Sequence, residues 1–421
     1  MNKLSHFAEE IIGSEIIALN QKIKDNPNSK DIFNYTIGDF DPTYHPIPST
    51  LKNMIIDHYE NDDTNYPPSQ GIQSLRESLS DFYSSYHGYK YGANEFLIGG
   101  GVRPLIYTIF KTILSPSDLV IYAVPSWNNN HYSFLHDVDS IEISTKPENN
   151  FLLLAKDIKK FISIVHLICL CSPQNPTGAT YTKEQLKDII DLVLAENEKR
   201  KKEETNYKPV YIFFDQIYND LSHSTPEHPL LINENIKEYL ICADGISKSL
   251  CATGVRVGWI MAPYYIIDKA TQIYSHIGAW APKPEQLAVA RYLKDIDLDD
   301  DDYVLFCDEK VKQFSMMQQE FINILNDEDN IGKFDYIQPG GGIYLTIMMP
   351  YNKYFTNIDD FMTFLINECN FAMVPFKSFG VQDSEWFRIS FGTSDPFAFE
   401  PNKKNFKSML TKFNMLNGNK I

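Results

Sequence analysis

A chain of 421 residues exceeds what one hydrophobic core comfortably fills and suggests two domains. Its 43% hydrophobic residues are enough for a large buried core. With 55 acidic against 38 basic side chains the formal charge is −17, which repels phosphate backbones and argues against a nucleic-acid partner.

The start, MNKLSHFAEEII, carries acids and no long apolar run, so it does not read as a secretory signal. No window reaches the length of a membrane span. Both readings place the protein in the cytoplasm. Cys169, Cys171, Cys242, Cys251, Cys307 and Cys369 form no C-x-x-C pair and no zinc-spaced cluster, which predicts free buried thiols and no metal. The basic run Lys199–Lys202 lies among Glu196, Glu198, Glu203 and Glu204 and reads as a solvated helix end rather than a docking patch. The acidic run Asp299–Asp302 lacks the spaced ligands and glycine of a calcium loop and reads as a solvated turn or helix start.

In chain order, Ile72, Leu75, Leu79, Phe82, Tyr83 and Tyr86 recur at helical spacing and predict a helix from about Gly71 to His87. A second helix runs from near Arg103 to Leu114. Four nearly continuous apolar runs follow: Leu119–Ala123, Ile164–Cys171, Val210–Phe214 and Tyr239–Ala243. Such runs fit strands of a sheet covered on both faces. Thr182 and Gln185 make a capping box that opens a helix. From Phe314 to Phe413 helices and strands alternate again. The pattern predicts an α/β fold with a mostly parallel sheet and no internal repeat.

Each strand-like run ends in an unusual polar segment: VPSWNNNH, SPQNPTG, Asp215 with Tyr218, and DGISK. Ligands of open α/β sheets bind beyond the carboxyl ends of the strands, so these segments describe a site.

The series S-P-Q-N-P-T-G (172–178), Asp215-x-x-Tyr218, S-K-x₇-R (247–256) and F-R-I-S (387–390) resembles the class I/II pyridoxal-phosphate-dependent aminotransferases. These are the aspartate aminotransferase family of fold type I. The likeness covers nearly the whole chain, in the family's order. It implies a large cofactor-binding domain over residues 50–300 with a parallel sheet flanked by helices. A smaller α+β domain would combine residues 1–49 and 301–421, with the site between the domains and between two subunits of a homodimer.

The same resemblance assigns roles. Lys248 would form the Schiff base with pyridoxal 5′-phosphate and then move the substrate's α-proton. Read by itself it would be a loop lysine, but the following T-G-x-R-x-G favours the functional reading. Arg256, Ser247 and the Gly101–Val102–Arg103 turn would hold the phosphate. Where the family often has a serine three residues before the lysine, this chain has Gly245. Asp215 would pair with the pyridine nitrogen, and Tyr218 and Asn175 would bond the ring hydroxyl. Trp127 would stack on the ring, and His131 falls where some relatives place a histidine behind Asp215. Arg388, with Gly38 and Asn175, would grip the substrate's α-carboxylate. Tyr66 would reach the neighbouring subunit's phosphate site; otherwise it is a surface loop tyrosine.

The expected reaction moves an amino group from an L-amino acid to a 2-oxo acid by a ping-pong cycle. Alternatives on this scaffold are a C–S β-lyase or another pyridoxal-phosphate enzyme, and a catalytically silent cofactor-binding protein. No lysine stands at Val102 and no arginine in Tyr274–Pro284 to read a distal carboxylate, which leaves Arg103 as the available cation.

Overall fold

The computed structural model describes residues 3–203, 208–294, 302–327 and 334–416. Its main element is a sheet of seven strands: β1 (Phe96–Gly99), β2 (Leu119–Val124), β3 (Asp139–Ser144), β4 (Leu167–Cys171), β5 (Tyr211–Asp215), β6 (Leu240–Gly245) and β7 (Gly258–Met261). The order across the sheet is β1-β7-β6-β5-β4-β2-β3. All neighbours are parallel except β7, which runs against both β1 and β6. Helices cover both faces, so strands such as β1 and β6 are buried along their whole length. The carboxyl ends of β1, β2, β4, β5 and β6 therefore share one edge.

A second, antiparallel sheet has the order β9-β11-β10-β8, with β8 (Tyr336–Ile337), β9 (Val374–Pro375), β10 (Tyr344–Met348) and β11 (Trp386–Ser390). Phe33–Asn34 pairs in parallel with Phe371–Ala372, which ties the first part of the chain to its last third.

Two large hydrophobic cores underlie these sheets among the described residues, beside a small third cluster of Ile23, Ile32 and Ala372. One runs from Leu51 to Cys307 and takes in Ile337, Val374, Phe376 and Phe379. The other joins Tyr35 and Phe40 to residues between Phe314 and Phe413. In the latter, Phe321 and Phe406 stack at 4.0 Å and lock helix Asp302–Leu325 to helix Glu400–Met415. Truncating such a buried phenylalanine costs about 3–5 kcal/mol. Tyr218, Leu221 and Cys251 belong to the second core, although they follow strands of the first sheet.

The helices read at 71–87 and 103–114 are Gln73–Ser85 and Val102–Ile113. Both halves of the Thr182–Gln185 capping box form. Three expectations need correction. The run Ile164–Cys171 is strand only from Leu167, because Ile164 and Val165 bond back to the Phe161 carbonyl in a turn. Strands β1, β3 and β7 were not read from the sequence. In the basic run, Lys199, Lys201 and Lys202 are exposed, but Arg200 is buried. Its guanidinium bonds Glu196 and the carbonyls of Ile162, Val165 and Lys208, so it staples the helix to the loop before β4. Asp302 opens helix Asp302–Leu325, as a helix-start aspartate should, while Asp299–Asp301 lie outside the described residues. The cysteines within the described residues are free; five are buried and Cys171 is half-buried.

Candidate active site

At the shared edge, three glycines bring backbones into contact. Gly101 has φ +84°, a conformation that a Cβ disfavours, and a Cβ there would collide with the Arg256 guanidinium. Gly258 lies so close to the Gly101–Val102 peptide that its Cβ would sit 2.9 Å from the Val102 nitrogen. A Cβ on Gly245 would meet the Gly258 Cα at 2.7 Å. This contact leaves little room for a serine at 245 and gives a physical reason for the departure from the family pattern.

The N-terminus of helix Val102–Ile113 opens on this notch with no side-chain cap. Its backbone N–H groups and the nearby cation favour an anion. Arg256 is held there by the Thr253 carbonyl at 2.7 Å and the Gly100 carbonyl at 2.8 Å. Ser247 lies half-buried on the helical turn Ile246–Ser249, next to Lys248.

Lys248 donates to the Gly38 carbonyl at 2.6 Å, and its amine lies over the rings of Phe40 and Tyr218 at 5.2 and 5.7 Å. Burial lowers its pKa to about 8; Asp39 opposes this, while Arg388 and Arg103 add to it. About a tenth of the amine is therefore neutral at pH 7.

Asp215 ends β5, in register with Cys171 and Ala243. Burial raises its pKa to about 6, partly offset by the Ile217 N–H at 3.1 Å. No cationic side chain pairs with it among the described residues. A carboxylate in that position lacks a cation.

Arg388 has the opposite imbalance. It is 1% exposed, and its Nη1 and Nη2 donate to Asn175 Oδ1 at 3.1 Å and the Thr36 carbonyl at 2.8 Å. Its Nε is buried without a partner, and no carboxylate faces it among the described residues. The guanidinium lies over the rings of Tyr344 and Phe379, 4.5 and 5.0 Å from their centroids. Gly38 lies against the same pair: a Cβ there would fall 2.8 Å from the Tyr344 hydroxyl and 3.7 Å from Arg388 Nη1.

The family model for "Aminotransferase class I and II" matches residues 30–396. The chain belongs to the class I and II aminotransferases. An aspartate aminotransferase of Bacillus sp. (strain YM-2) is 27% identical over 93% of this chain and 95% of its own. A probable aspartate/prephenate aminotransferase of Rhizobium leguminosarum bv. phaseoli is 26% identical over 91% and 92%. Among solved structures, the aspartate aminotransferase of Thermus thermophilus with maleate shares the fold at TM-score 0.83. It is 21% identical and covers 99% of this chain and 100% of that one. These relatives are aminotransferases by name, not lyases. The expected class of enzyme and the α/β fold are thus borne out.

Within this aminotransferase, Lys248, Asp215, Asn175, Tyr218, Arg388, Gly38, Gly101 and Arg256 gather at one sheet edge. Trp127 is half-buried there beneath the exposed Arg103, whose guanidinium lies 5.2 Å from its ring centroid. The neighbour of Trp127's loop that feels the Asp215 charge is Tyr132, one position beyond His131. Tyr66 stands apart from its own chain's cradle: it is 84% exposed and packs edge-on to Trp280 at 5.6 Å. The two rings border a cavity of about 300 Å³ with Pro67, Ala281 and Lys283. No helix among the described residues is long and apolar enough to cross a membrane.

Tyr344 was missed from the sequence. Its hydroxyl lies 2.6 Å from the Tyr218 hydroxyl and 3.5 Å from Asn175 Nδ2. Its segment, QPGGGIYLTIMMP, reads as an apolar strand, and nothing in that pattern marks one tyrosine as facing the site.

Proposed function

We propose that this aminotransferase uses pyridoxal 5′-phosphate to move the amino group of an L-amino acid to a 2-oxo acid. The observation that carries this reading is the complementary charge imbalance of Asp215 and Arg388. One end of the site has a half-buried carboxylate short of a cation, and the other a buried guanidinium short of an anion. A protonated pyridine nitrogen answers the first and a substrate α-carboxylate the second. When bound, the cofactor supplies an electron-withdrawing ring that accepts the electron pair left by the departing α-proton.

The chain's own residues then divide the work. Arg256, Ser247 and the N–H groups at Gly101 and Val102 hold the phosphate. Trp127 would pack on the ring, and Asp215 would keep a proton on the ring nitrogen. Tyr218 and Asn175 hold the ring oxygen. Arg388, Asn175 and Gly38 orient the substrate carboxylate. Lys248 would leave the Gly38 carbonyl to tether the cofactor, and the freed amine would take the proton from the substrate α-carbon and later give it up, as general base and acid.

Two copies of the chain would complete each site, with Tyr66 of one reaching the phosphate of the other across a two-fold axis. The large domain would comprise residues 50–300 and the small one residues 1–49 and 301–421. We assign a dicarboxylic amino acid as substrate and Arg103 as the reader of its distal carboxylate. This rests on the names of the relatives and on an exposed guanidinium with no acid partner among the described residues. Six cysteines with no disulfide among them suit a reducing cytoplasm.

The purified protein should carry a visible absorbance that Lys248→Ala alters, and turnover in that variant should fall by about a thousandfold or more while its circular dichroism stays unchanged. A panel of amino acids with 2-oxoglutarate should give ping-pong rates. Colourless protein with no transfer from any amino acid, or near-normal turnover in Lys248→Ala, would overturn the reading.

A further inference from the structure

Four side chains from four separate segments of the chain form a line: Arg388 on β11, Asn175 after β4, Tyr344 on β10 and Tyr218 after β5. Arg388 Nη1 lies 3.1 Å from Asn175 Oδ1, Asn175 Nδ2 lies 3.5 Å from the Tyr344 hydroxyl, and the two tyrosine hydroxyls are 2.6 Å apart. The residues are buried, with exposures of 1%, 6%, 1% and 4% along the line.

The direction of these bonds follows from donor and acceptor chemistry. A guanidinium has donors only. Arg388 therefore faces the carbonyl oxygen of Asn175, which turns the Asn175 amide N–H groups toward Tyr344. The Tyr344 oxygen accepts there, and its proton has one acceptor among the described residues, the Tyr218 oxygen. Tyr218 in turn has no further acceptor among the described residues, so its proton points into the site. With the cofactor's ring oxygen as the acceptor for Tyr218, this direction leaves neither hydroxyl proton without a partner, whereas the reverse leaves the Tyr344 proton buried without one, at a cost of about 1–3 kcal/mol.

We propose that Tyr344 is a positioning residue that fixes Tyr218 as a donor toward the cofactor's ring oxygen. This rests on the cofactor reading above. Each link strengthens the next, because a hydroxyl that accepts a hydrogen bond becomes a better donor. The other charged or titratable groups that act on the two hydroxyls are Asp39, Cys171 and the Arg388 charge itself, with the Lys248 amine over the Tyr218 ring. The chain's polarity is set by Arg388, which stays charged throughout the working range.

The test uses the holoenzyme and follows the pH midpoint of the bound cofactor's visible band, with no turnover required. Above the midpoint the ring oxygen carries its negative charge without a proton nearby, and donation from Tyr218 stabilises that form. Losing donation raises the midpoint. Tyr344→Phe should raise it by about 0.3 pH unit, roughly a twofold change in the equilibrium. Tyr218→Phe should raise it by about 1–2 units. Adding Tyr344→Phe to Tyr218→Phe should change nothing more, because Tyr344 acts through Tyr218. An unmoved or lowered midpoint in Tyr344→Phe overturns the proposal, as does an equal shift from Tyr344→Phe in the Tyr218→Phe background. If Tyr344→Phe fails to fold, an unmoved midpoint in Tyr218→Phe alone overturns the assigned direction, and a raised one supports it. Absence of any cofactor band in the wild-type protein defeats the cofactor reading instead, so the two failures are distinguishable.

Discussion

The Lys248 amine donates a 2.6 Å hydrogen bond to the carbonyl oxygen of Gly38, 210 positions earlier in the chain. That contact seats the amine among aromatic rings, where burial lowers its pKa to about 8. A lysine pKa lowered by folding means that the neutral, nucleophilic form grows as pH rises and is nearly complete above the shifted value. Reloading of cofactor-free protein should therefore quicken about tenfold from pH 6 to pH 7, then level off beyond about pH 8. Stopped-flow absorbance of the reloading reaction measures this. A rate still climbing tenfold per unit at pH 9 would show that the amine keeps an ordinary lysine pKa.

Gly101→Ala should weaken cofactor retention while sparing the fold. The new Cβ falls on the Arg256 guanidinium and sits at φ +84°, so both the cradle and its cation shift. Arg256 is exposed and can swing outward, which spares the core. The expected loss in cofactor affinity is about tenfold to a hundredfold, since charge-assisted bonds contribute about 1.5–3 kcal/mol each. Equilibrium dialysis against free cofactor gives the number, and wild-type affinity would remove Gly101 from the phosphate site.

Arg388→Leu should lower kcat/KM for every amino acid by a similar factor. Truncating one member of a buried, hydrogen-bonded charge pair costs about 2–5 kcal/mol, or roughly 30-fold to several thousandfold. A panel containing aspartate, alanine and phenylalanine decides the matter. If only the acidic substrate suffered, Arg388 would read side chains instead of the common carboxylate.

Tyr66 is 84% exposed and touches Trp280, not its own cradle. A hybrid dimer of one Lys248→Ala chain and one Tyr66→Ala chain tests where it acts. If Tyr66 serves the other subunit, one site of the hybrid bears both defects and the other none. The hybrid should then show about half the wild-type activity, as symmetry requires. Purified hybrids no more active than the mean of the two parent homodimers would place Tyr66 in its own subunit's service or in none.

How much of this was legible beforehand depended on the kind of signal. Asn175, Asp215, Lys248 and Arg256 sit in polar segments that contrast with the apolar strands beside them, so their sequence context marks them. Strand β7 was missed because GWIM is short and its neighbours in the sheet, β1 and β6, precede it in the chain while running the other way. Arg200 was misplaced because charge spacing along a helix does not reveal that three backbone carbonyls wait on one face. Tyr344 was invisible for a similar reason. Its hydroxyl has meaning only where β10 meets the turns after β4 and β5, a contact between segments about 170 and 126 positions apart.

The pairing of Phe33–Asn34 with Phe371–Ala372, and of the Thr36 carbonyl with Arg388, also sets a schedule for the newborn protein. The Thr36 carbonyl and the Arg388 guanidinium are 352 positions apart. At about 5–20 residues per second, the ribosome takes roughly 20 to 70 seconds to deliver the second after the first. For that interval the opening segment is a strand without its mate, and the large sheet can form while half of the substrate grip is still unsynthesised. A nascent chain stalled before Arg388 should therefore bury the seven-stranded sheet yet remain unable to hold a carboxylate, which makes the last stretch of translation the step at which the enzyme becomes an enzyme.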